Sequence, residues 1–170
     1  MSGHSKWSQI KHKKALTDKK KGQIFSKLSR LITLAAKKGS NPKMNPSLSQ
    51  AIENARSENM PRENIERAIK KVSEKGQVEL EELSIESLGL NGVALKIKAI
   101  TDNRNRTMAE VKKILTENNF KLAQPGSLSW MFHQQADITN PEDQRLLEKL
   151  FESLDDQDEV EDVISNLKEQ

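Results

Sequence analysis

The sequence predicts an α+β protein: an N-terminal three-helix domain followed by a ferredoxin-like domain whose elements run in the order βαββαβ. Two patterns predict this class. Apolar residues recur at spacings of three and four between Ile24 and Val72, which is typical of amphipathic helices. From Val93 onward they alternate along the chain, which is typical of a strand with one wetter face. Because 170 residues suffice for two small domains, we expect one over residues 1–76 and another over residues 83–170.

Glycine and proline residues delimit the three predicted helices. The first helix begins at Asp18, and Gly39 suits its left-handed C-cap. Pro46 opens the second helix, and Pro61 opens a third that ends at Gly76. The three apolar stripes are expected to pack together as a small bundle.

Alternation and turn residues predict the first elements of the second domain. The Asn91-Gly92 turn opens a strand over residues 93–100, and a shorter strand over residues 83–88 comes before it. Thr107 and Glu110 have the spacing of a capping box. The helix after the first long strand is therefore expected to start at Thr107.

A β-hairpin is predicted next, with short strands over residues 120–123 and 127–132 on either side of the Pro125-Gly126 turn. A last helix opens at Pro141, and a closing strand covers residues 160–167. Over residues 93–167 the elements run strand, helix, strand, strand, helix, strand. This is the order of the split βαβ arrangement, with two helices on one face of an antiparallel sheet.

The composition excludes several kinds of site. The chain has no cysteine, which rules out a disulfide framework, a zinc–cysteine site and a thiol nucleophile. Its histidines lack the neighbouring ligands that a metal needs, and His4 beside Ser5 has no orienting acid for nucleophilic catalysis. We therefore predict no metal, no cofactor, no small-molecule substrate and no enzyme activity.

The hydropathy of the chain also bears on its location. No apolar run approaches the roughly 20 residues of a membrane-spanning helix, and the N-terminus lacks the apolar segment of a secretory signal. We expect a bacterial cytoplasmic protein without a membrane partner, and we favour a monomer.

Charge is strongly segregated along the chain, although the net charge is only +3. Residues 1–38 contain eleven basic residues and one acid, a balance of +10, whereas residues 137–170 contain three basic and twelve acidic residues, a balance of −9. Such asymmetry indicates a polyanionic partner for the basic end. The alternative is that the two ends attract or solubilise each other.

The first candidate site is a basic arm over residues 1–17, which lacks periodicity, together with the start of the first helix. Its members are His4, Ser5, Lys6, Trp7, Lys11, His12, Lys13, Lys14, Lys19, Lys20 and Lys21. The lysines can neutralise phosphates and release counterions, and the histidines and the serine suit hydrogen bonds to phosphate or ribose. Trp7 either stacks on a base or pins the arm to the helical bundle. This composition predicts a nucleic-acid-binding surface.

The second candidate site lies in the segment ITDNRNRTMAE, where a strand runs into a helix. We expect Arg104 and Arg106 just before the helix, where free backbone N–H groups and the helix dipole favour an anion. Two guanidinium groups suit a phosphate because each can hold two oxygens at once. The alternative is that both arginines pair with acids of their own domain.

Several segments of the chain resemble signatures of the YebC family, bacterial proteins described as probable transcriptional regulators and related to the mitochondrial translational activator of cytochrome c oxidase subunit I. These segments are GHSKW at 3–7, IKH at 10–12, IFSKL at 24–28, NMPRENIERAIKK at 59–71, DNRNRT at 102–107 and DDQDEVEDVISNL at 155–167. The resemblance implies a helical domain, α+β domains and nucleic-acid binding. Full-length relatives carry a third α+β module, which we expect to be absent here near residues 133–141.

The resemblance leaves two functions open, because older descriptions of the family favour DNA and transcription whereas translational members are associated with the ribosome. We favour a non-enzymatic, ribosome-associated translation factor that contacts ribosomal RNA, since two separate phosphate-binding surfaces suit a folded RNA better than a straight duplex. The alternative is a DNA-binding transcriptional regulator.

Overall fold

The computed structural model describes residues 18–74 and 79–168. The arm over residues 1–17 and the predicted helix stop at Gly76 lie outside the described residues. The described chain divides between Glu81 and Glu82 into two compact units. An N-terminal helical unit precedes an α+β unit, so the predicted α+β class is confirmed.

The helical unit contains α1 (Asp18–Ala36), α2 (Pro46–Ser57) and α3 (Arg62–Lys70). All three were predicted, and α2 begins at Pro46 as expected. Asn45 caps α2 by accepting a hydrogen bond from the Leu48 N–H at 3.2 Å. Its amide nitrogen also donates to the carbonyls of Ala35 and Gly39, both at 2.8 Å. One buried side chain therefore starts α2 and satisfies carbonyls at the end of α1.

Apolar side chains from all three helices form the core of this unit. The hydroxyl of Thr33 on α1 lies 2.9 Å from the carbonyl oxygen of Ala68 on α3, which gives the helix contact a buried polar bond as well. The buried core residues are Ile32, Ala36, Leu48, Ala51, Ile52, Ala55, Met60, Ile65 and Ala68. The stripes therefore pack as a bundle because each presents small or branched apolar groups at helical spacing.

The α+β unit contains β1 (Glu81–Leu88), β2 (Ala94–Thr101), α4 (Arg104–Glu117), β3 (Lys121–Ala123), α5 (Pro141–Asp156) and β4 (Val160–Ser165). The four strands form one sheet in the order β3-β1-β2-β4. β1 pairs antiparallel with β3, and β2 pairs antiparallel with β4. A bulge between Lys98 and Ala99 shifts the register of the second pair.

The predicted Asn91-Gly92 turn joins β1 to β2. Both residues have positive φ, 50° for Asn91 and 78° for Gly92, which matches the left-handed pair that tight hairpin turns require. The N–H of Gly89 donates to the Val93 carbonyl at 3.0 Å and closes the connection. The two strands are therefore sheet neighbours joined by a short turn.

The predicted strand over residues 127–132 is wrong, because the chain there forms a 3₁₀ helix over Ser129–His133. Glu86 of β1, which is only 5% exposed, accepts hydrogen bonds from the N–H groups of Gly126 and Leu128 at 3.0 and 3.1 Å. These donors are bonded to a side chain instead of a neighbouring strand. The place beside β3 that the hairpin partner would fill belongs to β1. Without a strand over residues 127–132, the elements that follow β1 run βαβαβ instead of the predicted βαββαβ.

The main core of the α+β unit contains residues from the sheet, α4 and α5, including Leu95, Ile97, Val111, Leu150 and Phe151. A smaller cluster of Ala94, Leu128 and Met131 accompanies the 3₁₀ helix. Within residues 18–74 and 79–168, no helix has the length and hydropathy that a membrane crossing would need.

Candidate nucleic-acid interface

Most of the first candidate site falls outside the described residues, namely His4, Ser5, Lys6, Trp7, Lys11, His12, Lys13 and Lys14. The described part consists of Lys19, Lys20 and Lys21, which lie in the first turn of α1. Lys19 and Lys21 are exposed, and Lys20 is half-buried.

The second candidate site lies within α4, which begins at Arg104. The predicted helix start at Thr107 is therefore wrong. Asn103 caps α4 by accepting a hydrogen bond from the Arg106 N–H at 3.1 Å. Arg104 and Arg106 consequently belong to the first turn of α4, and Thr107 does not form a capping box with Glu110. Asn103 Oδ1, and not the Thr107 hydroxyl, accepts a hydrogen bond from a backbone N–H of the first turn of α4. Thr107 is fully buried, and its hydroxyl donates to Glu159.

Arg106 is held by two acids of its own unit. Its guanidinium donates to Asp102 Oδ1 at 2.6 Å and to Glu159 Oε1. Hydrogen bonds to Glu159 and then to Asp102 raise the pKa of the Arg106 guanidinium above its ordinary range. For Arg106 the structure therefore favours the alternative interpretation, in which the arginine pairs with carboxylates of its own domain.

Glu159 lies at the centre of a buried polar network. The Thr107 hydroxyl donates to Glu159 Oε2, and the Gln157 amide nitrogen approaches the same oxygen at 3.4 Å. Thr101, fully buried, lies 3.3 Å from Glu159 Oε1 through its hydroxyl. The network ties the end of β2 and the start of α4 to the chain just before β4.

The protonation of Glu159 depends on these bonds. Burial of its carboxyl on its own raises the pKa, but hydrogen bonds from Thr107, Arg106 and Gln157 outweigh burial and hold the pKa below its ordinary value of 4.5. Gln157 is fixed in turn, because its Oε1 accepts from the N–H groups of Glu159 and Val160 at 2.7 and 2.9 Å. Its Nε2 donates to Glu110 at 2.8 Å, so Glu110 supports this network instead of a helix cap.

Arg104 is exposed and is the first residue of α4. Its neighbour Arg106 is directed to Asp102 and Glu159. The two arginines therefore do not form the double guanidinium grip that the sequence suggested. Both arginines are exposed in the first turn of α4, but the guanidinium of Arg106 is bonded to two carboxylates.

The structure also contains a basic cleft that the sequence analysis did not identify. It lies between α1 and α3, has a volume of about 350 Å³, and its lining includes three cations and no acid. The lining residues are Phe25, Ser26, Ser29, Arg30, Met60, Asn64, Arg67, Ala68 and Lys71. One sequence signal could have found three of its nine lining residues, because Asn64, Arg67 and Lys71 are spaced by three and four residues, the spacing of one helix face.

Among residues 18–74 and 79–168, no three histidine or acidic side chains are grouped so that they could hold a metal ion. The polar groups that line the basic cleft are cations, hydroxyls and one amide, and this combination suits anion binding.

Comparison with known proteins identifies related sequences along most of the chain. Residues 5–75 match the TACO1/YebC protein N-terminal domain, and residues 80–146 match the TACO1/YebC second and third domain. A probable transcriptional regulatory protein of Prosthecochloris aestuarii is 49% identical over 159 residues, which cover 90% of this chain and 64% of that protein. Another of Halothermothrix orenii is 46% identical over 162 residues, covering 94% and 61%. The chain thus spans less than two thirds of the length of these relatives.

A solved structure shares the fold. The crystal structure of a conserved hypothetical protein, Aq1575 from Aquifex aeolicus, matches with a TM-score of 0.84 and 30% identity, covering 96% of this chain and 97% of that chain. Together with the two domain matches and the identities near one half, this likeness settles the relationship. The chain belongs to the TACO1/YebC family.

Proposed function

We propose that this chain is a nucleic-acid-binding regulator of gene expression. The observation that carries the proposal is the segregation of charge, with a balance of +10 over residues 1–38. Three of these cations, Lys19, Lys20 and Lys21, are consecutive residues of α1. Basic segments of this kind bind phosphate polymers through counterion release. Relatives named probable transcriptional regulatory proteins support a regulatory role.

The finer proposal is a ribosome-associated translation factor that contacts ribosomal RNA and catalyses no reaction. Its phosphate contacts are the lysines of the arm and of the first turn of α1, assisted by the exposed Arg104. His4, Ser5 and His12 supply hydrogen bonds to phosphate or ribose, and Trp7 a stacking plane. Arg106 acts as a positioning residue, because its ion pairs hold the start of α4 against Glu159.

The charges at the start of α3 support RNA over duplex DNA as the ligand. This helix follows a tight join after Asn59, as the second helix of a helix-turn-helix would. Its first turn contains Glu63, and Arg62 there is bonded to Glu66 at 2.7 Å. The N-terminal residues of a recognition helix contact base edges in the major groove, where acids next to phosphates are unfavourable.

A DNA-binding transcriptional regulator is the second candidate, favoured by the names of the relatives. Crosslinking in cells, followed by sequencing of the attached nucleic acid, separates the two. Ribosomal RNA is the expected product. Recovery of particular promoter fragments without ribosomal RNA would establish the second candidate in its place.

The contribution of the arm to RNA binding can be measured from the salt dependence of the binding constant. Changing Lys13, Lys14, Lys20 and Lys21 to Gln should flatten the dependence of log K on log salt concentration by about 0.7 for each phosphate of a single-stranded RNA that is no longer neutralised. A matched control changes four exposed lysines of the α+β unit: Lys98, Lys112, Lys121 and Lys149. Equal slopes for both variants would show that net charge, and not the arm, governs binding.

A further inference from the structure

We infer that the basic cleft between α1 and α3 binds one unpaired nucleotide of an RNA strand. The inference rests on the proposed function and adds to it a defined site and ligand class. The cleft volume of about 350 Å³ falls at the lower end of the range for small-ligand sites, roughly 300–1,000 Å³. All of its lining residues belong to the helical unit, so the site is separate from the N-terminus of α4.

Charge makes the cleft an anion site. Arg30 of α1 and Arg67 and Lys71 from the α3 side all line it, and no carboxylate does. Neither Arg67 nor Lys71 makes an ion pair with a described residue. Arg67 and Lys71 at this concave surface attract a phosphate, and the planar guanidinium of Arg67 can hold two of its oxygens.

The rest of the lining suits a base and a ribose. Met60 is 6% exposed and Ala68 is 1% exposed, so they form an apolar floor, and Phe25 beside them is half-buried. An aromatic ring next to cations is the combination that stacks unpaired bases. Ser26, Ser29 and the half-buried Asn64 offer hydroxyl and amide groups for hydrogen bonds with base edges or the 2′-hydroxyl.

The strand must be single. The apolar floor, Phe25 and the amide of Asn64 lie inside the cleft with the cations, so a ligand must bring a base as well as a phosphate into it. In a duplex the bases are stacked and paired, and only the backbone would reach the rim. Proteins recognise RNA sequence mostly where bases are unstacked.

The test compares two variants that lack the same number of positive charges. The cleft variant is Arg67→Gln with Lys71→Gln, and the control is Arg56→Gln with Lys70→Gln, two cations that do not line the cleft. Binding of a fluorescein-labelled decauridine is followed by anisotropy across a salt series. We expect the cleft variant to bind at least tenfold more weakly, with a salt slope lower by about 1.4, or roughly 0.7 for each of two phosphates that are no longer neutralised.

Equal weakening in the two variants would overturn the inference, as would an equally large effect on a fully paired RNA hairpin. Uridine 5′-monophosphate at the concentration of the decauridine should not compete. Full competition would reassign the cleft to free nucleotides. Circular dichroism melting of both variants verifies that each is folded. If the natural chain binds no RNA, the proposed function and this inference fail together, whereas RNA binding with identical variants removes the cleft alone.

Placement is tested without any substitution. A decauridine containing 4-thiouridine is crosslinked to the natural chain by light, and the attached peptide is identified by mass spectrometry. Attachment within residues 25–30 or 60–71 supports the cleft. Attachment confined to other segments contradicts it.

Discussion

Arginines in the two units of this chain have opposite surroundings. In the α+β unit, Arg106 donates to the carboxylates of Asp102 and Glu159. In the helical unit, Arg67 lines a cleft that contains two further cations and no acid. The sequence presents both as basic residues near the start of a helix or along its face. The difference teaches that a guanidinium becomes a ligand site only where nearby acids do not already neutralise it.

The groups around Glu159 and the groups that line the cleft also differ in how they are arranged. Around Glu159, buried hydroxyls and an amide complete the hydrogen bonding of a charged group, which makes that network part of the folded structure. Around the cleft, polar and basic groups border an apolar floor and leave room for a ligand. One region contributes to stability, and the other is the site that we infer for nucleotide binding.

The largest effect is expected from removing the centre of the buried network. Glu159→Ala leaves the Thr107 hydroxyl and the Gln157 amide nitrogen without this acceptor, so the free energy of unfolding should fall by about 2 to 3 kcal/mol. Urea denaturation measures it. Asp158→Ala, at the exposed neighbouring acid, is the control and should change stability by less than about 0.5 kcal/mol. Similar destabilisation in both would mean that the network does not stabilise the unit.

An intermediate effect is expected when single arginines of the two regions are compared directly. Arg67→Gln should weaken decauridine binding roughly fivefold because one phosphate is no longer neutralised, whereas Arg106→Gln should leave it within about twofold, because the charge of Arg106 is already balanced by Asp102 and Glu159. Anisotropy titrations at one salt concentration suffice. The reverse ranking would place the nucleic-acid contact at the α4 N-terminus instead.

The smallest effect is expected from pH. The pKa of Glu159 is lowered in the folded chain, so its contribution to stability is fully present above its ordinary value of 4.5 and is lost as the pH falls through the folded pKa. The stability difference between the natural chain and Glu159→Gln should therefore shrink between about pH 6 and about pH 3, as urea denaturation would measure. A difference that grows on acidification would contradict the lowered pKa.

Local signals explain which elements were predictable. Pro46 after Asn45, the Asn91-Gly92 turn and Pro141 each act through their own backbone preferences, and the structure places helix starts and a turn at these residues. The hairpin over residues 120–132 was wrong because a buried carboxylate on β1, Glu86, captures its backbone donors. An interaction between residues about 40 positions apart leaves no local pattern.

The candidate sites divide in the same way. Composition alone identified Lys19, Lys20 and Lys21 as a basic surface, because a run of like charges cannot be buried. It could not distinguish Arg104 from Arg106, since only one of the two acids that hold Arg106, Asp102, is close in sequence, and the other, Glu159, is 53 positions away. The cleft was missed for a related reason, because its lining comes from two helices whose facing residues are remote in sequence.

The three helices, the α+β class and the cationic segment over residues 1–38 follow from the sequence, since helix periodicity, cap chemistry and charge are properties of neighbouring residues. The place of β1 beside β3, the ion pairs of Arg106 and the basic cleft arise only in the folded chain. Each of these features consists of contacts between residues that are far apart in sequence, and the packing of the folded chain brings those residues together.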